Sequence, residues 1–322
     1  MAGLGEHITS LVQSHGSGDD SSFYAVALQV AAREARQGHH KVANDIKRAV
    51  ELSRESKPRS NVTRLDAPRN DLSELVVETN PTVGLKDLVV PPELLAGIKQ
   101  VLAEQRQRKS LQEHGFMPAH RLLLEGPPGT GKTMTASVIA RELSIPLFTI
   151  RLDSLLSKFM GETASKLRTV FESVAARRAV YLFDEFDALG SDRAGNDVGE
   201  ARRILNSFLV FLEHASPESV VIAATNHRSI LDRALFRRFD AVFTYDVPDK
   251  RQATAVMKAR LGTLARGIKW QEMETSASGL SHADLVKAVE AAAKAVLMKG
   301  EVVVSAGDLI AALSARQAVA GG

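Results

Sequence analysis

Apolar residues recur at two different spacings along the chain, and the change in spacing separates its parts. Over the first 56 residues they follow helical spacing, beginning with Leu4, Ile8 and Leu11, and glycines at 16, 18 and 38 interrupt the pattern. This predicts a small N-terminal helical bundle over residues 1–56, with helices at 22–37 and about 41–54. The bundle would be either a simple structural appendage or a module that recruits substrate or an adaptor.

Polar residues and prolines dominate residues 57–80, which we interpret as a linker. From residue 81, helical segments at 92–108, 133–143, 163–176 and 200–214 alternate with apolar runs at 121–124, 147–151, 179–183 and 220–224. Such alternation predicts an α/β domain over residues 81–248, with a parallel sheet covered by helices. Residues 249–322 are mainly helical in pattern, with helices expected at about 250–265, 281–299 and 305–317.

Composition and charge narrow the class of protein. The 322 residues are 44% hydrophobic and 25% charged, as in ordinary globular proteins, and the net charge of +3 argues against a nucleic-acid partner on electrostatic grounds. The absence of Cys excludes disulfides, thiolate metal sites and a cysteine nucleophile. No secretory signal and no apolar run long enough to span a membrane are visible, so we expect a cytoplasmic protein.

A glycine-rich loop between an apolar run and a helical segment is the most informative motif. Its residues are Gly126, Pro127, Pro128, Gly129, Thr130, Gly131, Lys132 and Thr133. Glycines let several backbone N–H groups point at phosphates, and the following helix N-terminus adds partial positive charge. Lys132 can reach the β- and γ-phosphates, and the Thr133 hydroxyl can hold Mg²⁺. The motif predicts that the chain binds ATP with Mg²⁺.

Two carboxylates follow the apolar run that ends at Phe183. Because ligands bind at the carboxyl ends of parallel strands, Asp184 suits Mg²⁺ coordination and Glu185 suits activation of the attacking water. Alone, two acids after a strand could equally cap a helix. Asp187 has spacing that turns it elsewhere, and we interpret it as local capping or interface chemistry.

Polar residues elsewhere could complete a hydrolytic site. Asn226 follows another apolar run and would face the γ-phosphate if its strand lies beside the strand that precedes the loop. Arg237 and Arg238 suit stabilisation of charge on a transferring phosphoryl group, although spacing alone equally allows an exposed basic pair.

Together these segments resemble the AAA branch of the AAA+ ATPases, from about residue 81 to the end of the chain. GPPGTGKT is similar to Walker A, YLFDEFDAL to Walker B, Thr225-Asn226 to sensor 1, and LDRALFRRFD to the second region of homology. The adjacent arginines resemble those of the spastin and katanin-like group. The resemblance implies a RecA-like domain with a four-helix lid, a hexamer, and arginines that act on a neighbouring subunit's nucleotide. In GLSHADL, His282 replaces the family's usual glycine near the adenine side.

A further segment resembles the pore loop of AAA unfoldases: Lys158, Phe159 and Met160. An aromatic ring beside a flexible thioether can grip varied peptide side chains, although both residues could instead belong to a core. Residues 191–199 could form a second pore-facing loop or a solvent loop.

The sequence therefore predicts an oligomeric ATPase that remodels or unfolds protein substrates by threading them through a central pore. An adaptor or a separate protease could bind through the N-terminal bundle. The alternatives are a nucleic-acid-handling ATPase or a regulatory switch.

Overall fold

The computed structural model of the protein describes residues 71–155, 160–189, 198–227 and 233–320, together with 26–27, 30–31, 34, 38–46 and 48. The chain divides into two compact units, Met1–Ala67 and Pro68–Gly322. In the first unit, the described residues between 26 and 48 are mostly helical. The rest of the predicted N-terminal bundle lies outside the described residues.

A single sheet organises the described part of the second unit. Its six strands are β1 Val76–Thr79, β2 Arg121–Glu125, β3 Leu147–Ile150, β4 Val180–Phe183, β5 Val220–Thr225 and β6 Ala241–Thr244. Their order is β1-β3-β4-β5-β2-β6, and all pairs are parallel except β1 with β3. The predicted α/β class with a mainly parallel sheet is confirmed.

Helices cover the sheet and then continue beyond it. Those of the sheet region are α1 Asp71–Leu75, α2 Pro92–Arg106, α3 Arg108–Glu113, α4 Lys132–Glu142, α5 Leu152–Leu155, α6 Met160–Ala176, α7 Val198–Glu213 and α8 Arg233–Phe236. The C-terminal helices, which we call the lid, are α9 Lys250–Leu261, α10 Glu274–Ala277, α11 His282–Met298 and α12 Ala306–Ala320. None of the helices in the described ranges is long and apolar enough to span a bilayer.

The core lies on both faces of the central strands. Every residue of β4 and β5 is buried, which explains why their sequences are continuous apolar runs rather than alternating ones. One face carries a cluster of aromatic rings around Phe171, Phe183 and Phe208. Aliphatic residues from β2 and α4, such as Leu122 and Ile139, pack on the other face, and the lid has its own apolar cluster.

Residues 71–79 differ from the sequence prediction, which included them in the linker. They form α1 and β1, and β1 pairs antiparallel with β3 so that Val76 lies opposite Ile150 and Thr79 opposite Leu147. Because β1 is at the edge and largely exposed, it lacks the apolar run that marks the buried strands. These residues belong to the sheet domain.

Strand β2 lies between the two strands that position the site. It pairs with β5 on one side and β6 on the other, with Glu125 opposite both Thr225 and Thr244. The glycine-rich loop and the residue after β5 therefore leave the sheet together, at the carboxyl ends of these strands. The residues before β6 lie at the opposite, amino ends of the strands, where Asp240 N–H donates to the Arg121 carbonyl over 2.8 Å.

Candidate functional site

The glycine-rich loop connects β2 to α4, and its first glycine is dictated by a neighbouring strand end. Gly126 has φ +145°, and a Cβ there would lie 2.1 Å from the carbonyl oxygen of Tyr245, which follows β6. Only glycine allows the chain to leave the sheet at this point. Thr130 stabilises the loop because its hydroxyl donates to the Pro127 carbonyl over 2.8 Å.

The Lys132 ammonium lies inside the loop, and the residue is only 6% exposed. Its Nζ donates to the carbonyls of Gly126 over 2.7 Å and Pro127 over 2.8 Å, and to Asn226 Oδ1 over 2.8 Å. Burial lowers the pKa of Lys132, and the carboxylates of Asp184 and Asp187 oppose that shift. The loop and the end of β5 thus converge on one cation, because β5 lies beside β2.

Thr133 and Asp184 lie together at the start of α4 and the end of β4. The Thr133 hydroxyl donates to Asp184 Oδ2 over 2.7 Å. Two hard oxygen atoms beside a phosphate-binding loop fit Mg²⁺, which takes one or two protein oxygens and completes its shell with phosphate and water. Among the described residues, no group of three or more His, Asp or Glu side chains could hold a metal by itself.

Glu185 has an unusual backbone. Its φ is +51°, a region that costs a non-glycine residue about 1–2 kcal/mol, and its side chain is exposed. Its N–H donates to Asp184 Oδ1 over 3.0 Å and its carbonyl accepts from Ala188 N–H over 2.8 Å, and these bonds hold the turn. A cleft of about 280 Å³ opens beside Asp184 and Glu185. The strained turn presents the carboxylate of Glu185 to solvent beside this cleft.

The end of β5 is held by Asp187, for which the sequence predicted local capping or interface chemistry. Asp187 Oδ1 accepts from the Thr225 hydroxyl over 3.0 Å and from the Asn226 N–H over 3.2 Å. The sequence offered no signal for this contact, because Asp187 and Thr225 are far apart in the chain and meet only through the pairing of β4 with β5.

The two arginines have different surroundings. Arg238 forms an ion pair with Glu213 at the end of α7. Arg237 is exposed, and within the part of the chain that the structure describes no hydrogen bond or ion pair involves its side chain. Asp240 fixes the segment to the start of β2, accepting from Arg121 Nε over 3.1 Å and from the N–H groups of His120 and Arg121 over 3.0 and 2.9 Å. Burial acts to raise the pKa of Asp240, but these bonds outweigh it and hold that pKa below its usual value.

The lid contacts the loop directly. Ala283 N–H, in the first turn of α11, donates to the Gly129 carbonyl over 3.0 Å. A Cβ on Gly129, whose φ is +75°, would lie 2.6 Å from Ser281 Oγ. His282 Nε2 contacts the Val89 carbonyl over 2.9 Å, and burial lowers the pKa of this imidazole.

The predicted pore loop is mostly outside the described residues. Lys158 and Phe159 are not described, and Met160 is the first residue of α6. Its role in substrate binding stays a prediction.

Known proteins match this chain over the residues that form the sheet and the candidate site. Residues 122–247 match the ATPase family associated with various cellular activities (AAA). An uncharacterized AAA family ATPase, y4kL, of Sinorhizobium fredii is 30% identical over 299 residues, which cover 92% of this chain and 90% of that protein. The chain belongs to the AAA family of ATPases. As an AAA ATPase it binds nucleotide, and the predicted enzyme class is confirmed.

One further relative and one solved structure are similar to this AAA ATPase. The ATP-dependent zinc metalloprotease FtsH 4 of Sphaerobacter thermophilus is 34% identical over 245 residues, and the alignment covers 72% of this chain but 37% of that relative. The crystal structure of the FIGL-1 AAA domain superposes with a TM-score of 0.63 at 24% identity, covering 79% of this chain and 91% of that one. The second likeness shows a shared fold.

Proposed function

We propose that this AAA ATPase assembles into a hexameric ring and uses ATP hydrolysis to remodel protein substrates that it threads through a central pore. Asp184 and Thr133 would hold Mg²⁺, and Glu185 would activate the attacking water while Asn226 positions it. A bound Mg²⁺ would neutralise charge on the phosphates. The cytoplasmic location stays a prediction that cell fractionation can test.

The position of Arg237 carries the proposal of assembly. The loop that would bind ATP follows the end of β2, whereas Asp240 is bonded to Arg121 at the start of β2. Four residue steps of about 3.3 Å separate the strand's ends by about 13 Å. The backbone of Arg237 therefore lies near the amino end of β2, opposite the loop of its own subunit. A catalytic role for this exposed guanidinium requires the nucleotide of another subunit.

The different surroundings of the two arginines divide their roles within this proposal. Arg238 is engaged with Glu213 and would hold the segment on α7. Arg237, anchored on its C-terminal side by the bonds of Arg238 and Asp240, would extend to the neighbouring phosphates. An arginine finger of this kind contributes about 10³–10⁵ in rate in other phosphoryl-transfer enzymes.

Protein remodelling is supported by the relatives and by the segment before α6. The FtsH relative is named an ATP-dependent zinc metalloprotease, and this chain aligns with 37% of its length. Lys158, Phe159 and Met160 would form the pore loop that grips the polypeptide. An adaptor or a separate protease would bind through residues 1–56.

Complementation between inactive subunits tests the shared site. Arg237→Ala and Glu185→Gln should each abolish most ATPase activity alone, because each damages one half of every site. An equal mixture should recover activity where an intact Glu185 faces an intact Arg237. The matched control replaces Glu185→Gln with the double variant Glu185→Gln/Arg237→Ala, which should restore nothing. No recovery in the first mixture, or full wild-type turnover in a strictly monomeric preparation, would rule out the shared site.

The substrate class needs a separate measurement. Turnover should rise when an unfolded polypeptide is added, and single-stranded or duplex DNA should leave it unchanged. Stimulation by DNA alone would favour the nucleic-acid-handling alternative.

A further inference from the structure

Asp187 joins two parts of the site that are distant in sequence. It lies in the short 3₁₀ turn Phe186–Leu189 that follows Asp184 and Glu185. A single oxygen, Oδ1, accepts both the Thr225 hydroxyl and the Asn226 N–H, over 3.0 and 3.2 Å. The turn that carries the water-activating carboxylate is thereby tied to the end of β5.

The direction of these hydrogen bonds is determined by their neighbours. The Thr225 hydroxyl oxygen accepts the His227 N–H over 3.1 Å, and its own proton is donated to Asp187. A backbone N–H can only donate, so Asn226 presents its N–H to the carboxylate. With its backbone held, Asn226 places Oδ1 at 2.8 Å from Lys132 Nζ. One carboxylate therefore determines where the Asn226 amide lies relative to the loop lysine.

We propose that Asp187 is a positioning residue for ATP hydrolysis, and that it acts by fixing Asn226 against Lys132. This rests on the role proposed above for Asn226. Hydrogen bonds that two donors make to one carboxylate are of the stronger, charge-assisted kind, so their loss leaves the amide free to turn away from the attacking water. Binding of the nucleotide depends on the loop backbone and on Lys132, and these remain when Asp187 is replaced.

A double-mutant cycle on kcat tests this inference. Asp187→Ala and Asn226→Ala should each lower kcat, by about 10- to 100-fold for Asp187→Ala, and should leave KM for MgATP within about threefold. Because Asp187 acts through Asn226, the double variant should be no slower than Asn226→Ala alone. Asp187→Asn keeps an oxygen of the same shape in the same place and should restore most of kcat.

Thr225→Val provides a route to the same answer that leaves Asp187 in place, should Asp187→Ala fail to fold. It removes one donor to Oδ1 and should lower kcat by a smaller factor, again with no further loss when combined with Asn226→Ala. Multiplicative losses in the double variants would overturn the inference, as would wild-type kcat in Asp187→Ala or an effect confined to KM.

The outcomes separate this inference from the proposed function. Normal kcat in Asp187→Ala together with a slow Asn226→Ala enzyme would sink the role of Asp187 and leave the site intact. Wild-type turnover in Glu185→Gln would instead sink the hydrolytic site on which both proposals rest.

Discussion

Replacing Gly129 by alanine should displace the lid from the nucleotide-binding loop. The added Cβ would lie 2.6 Å from Ser281 Oγ and 3.0 Å from Ala283 Cβ, so these side chains must shift to admit it. The backbone at Gly129 must also keep φ +75°, which costs a non-glycine residue about 1–2 kcal/mol. If the first turn of α11 moves away, the bond from Ala283 N–H to the Gly129 carbonyl is lost, at about 0.5–1.5 kcal/mol. The expected destabilisation is the sum of these, about 1.5–3.5 kcal/mol.

Gly131→Ala is the matched control for this prediction. Gly131 has φ +105°, so it shares the backbone strain, but a Cβ added there would meet no atom of the described residues within 4 Å. The substitution should therefore cost about 1–2 kcal/mol and leave the lid in place.

Two measurements on nucleotide-free protein decide the matter. Urea unfolding gives the stability difference between the two variants, and hydrogen exchange reports on the Ala283 amide. Exchange at Ala283 should become faster in Gly129→Ala and stay slow in Gly131→Ala. Equal stability losses with unchanged exchange at Ala283 in both variants would refute a direct contact between lid and loop.

Four further predictions concern single side chains. Lys132→Ala should weaken nucleotide binding by about 10- to 100-fold because a charged donor is lost, whereas Glu185→Gln should bind normally and hydrolyse about 10²–10⁴ times more slowly; equilibrium binding and turnover measured on both would expose any wrong assignment. The folded-state pKa of His282 lies below its unfolded value near 6.5, so stability is fully present above that pH and is lost as the unfolded chain takes up its proton at lower pH. Wild type should therefore lose more stability than His282→Gln between pH 7.5 and 5.5, by at most about 1.4 kcal/mol per pH unit, and parallel losses in the two proteins would contradict this. Phe159→Ala should keep ATPase activity and lose substrate remodelling, with Phe159→Tyr better tolerated. A stability loss of about 3–5 kcal/mol with normal remodelling per folded molecule would show instead that Phe159 is a core residue.

The parts of the fold that are buried on both sides were predictable from sequence. The runs that became β2, β4 and β5 are continuous in apolar residues, and their order with helices led to the α/β prediction. Strand β1 was missed because it is short and largely exposed, and its partner β3 lies about 70 residues away. Its formation depends on pairing that no local pattern reports.

The candidate site was also predictable only in part, namely where a local motif carries the mechanism. The loop lysine and the acids after β4 follow from motifs with a local mechanism, and the structure brings Lys132, Asp184 and Asn226 to one edge of the sheet. The contact of Asp187 with Thr225 and the ion pair of Arg238 with Glu213 depend on tertiary packing. Sequence spacing therefore left the two arginines equivalent, whereas the structure distinguishes them.

Strand β2 is a rigid connection between the glycine-rich loop and the segment of the two arginines. Three of its five residues, Leu122, Leu123 and Leu124, have no exposed surface, and it is hydrogen-bonded to a parallel strand on each side. One end continues into the loop at Gly126, and the other is clamped through Arg121 to Asp240 in the segment of the two arginines. Such an element can shift or tilt as a whole but cannot easily bend or stretch. In the proposed ring, a small movement of one loop would move the other end of β2 and, with it, Arg237. Each subunit would then pass the mechanical state of its own nucleotide pocket to the next one around the ring.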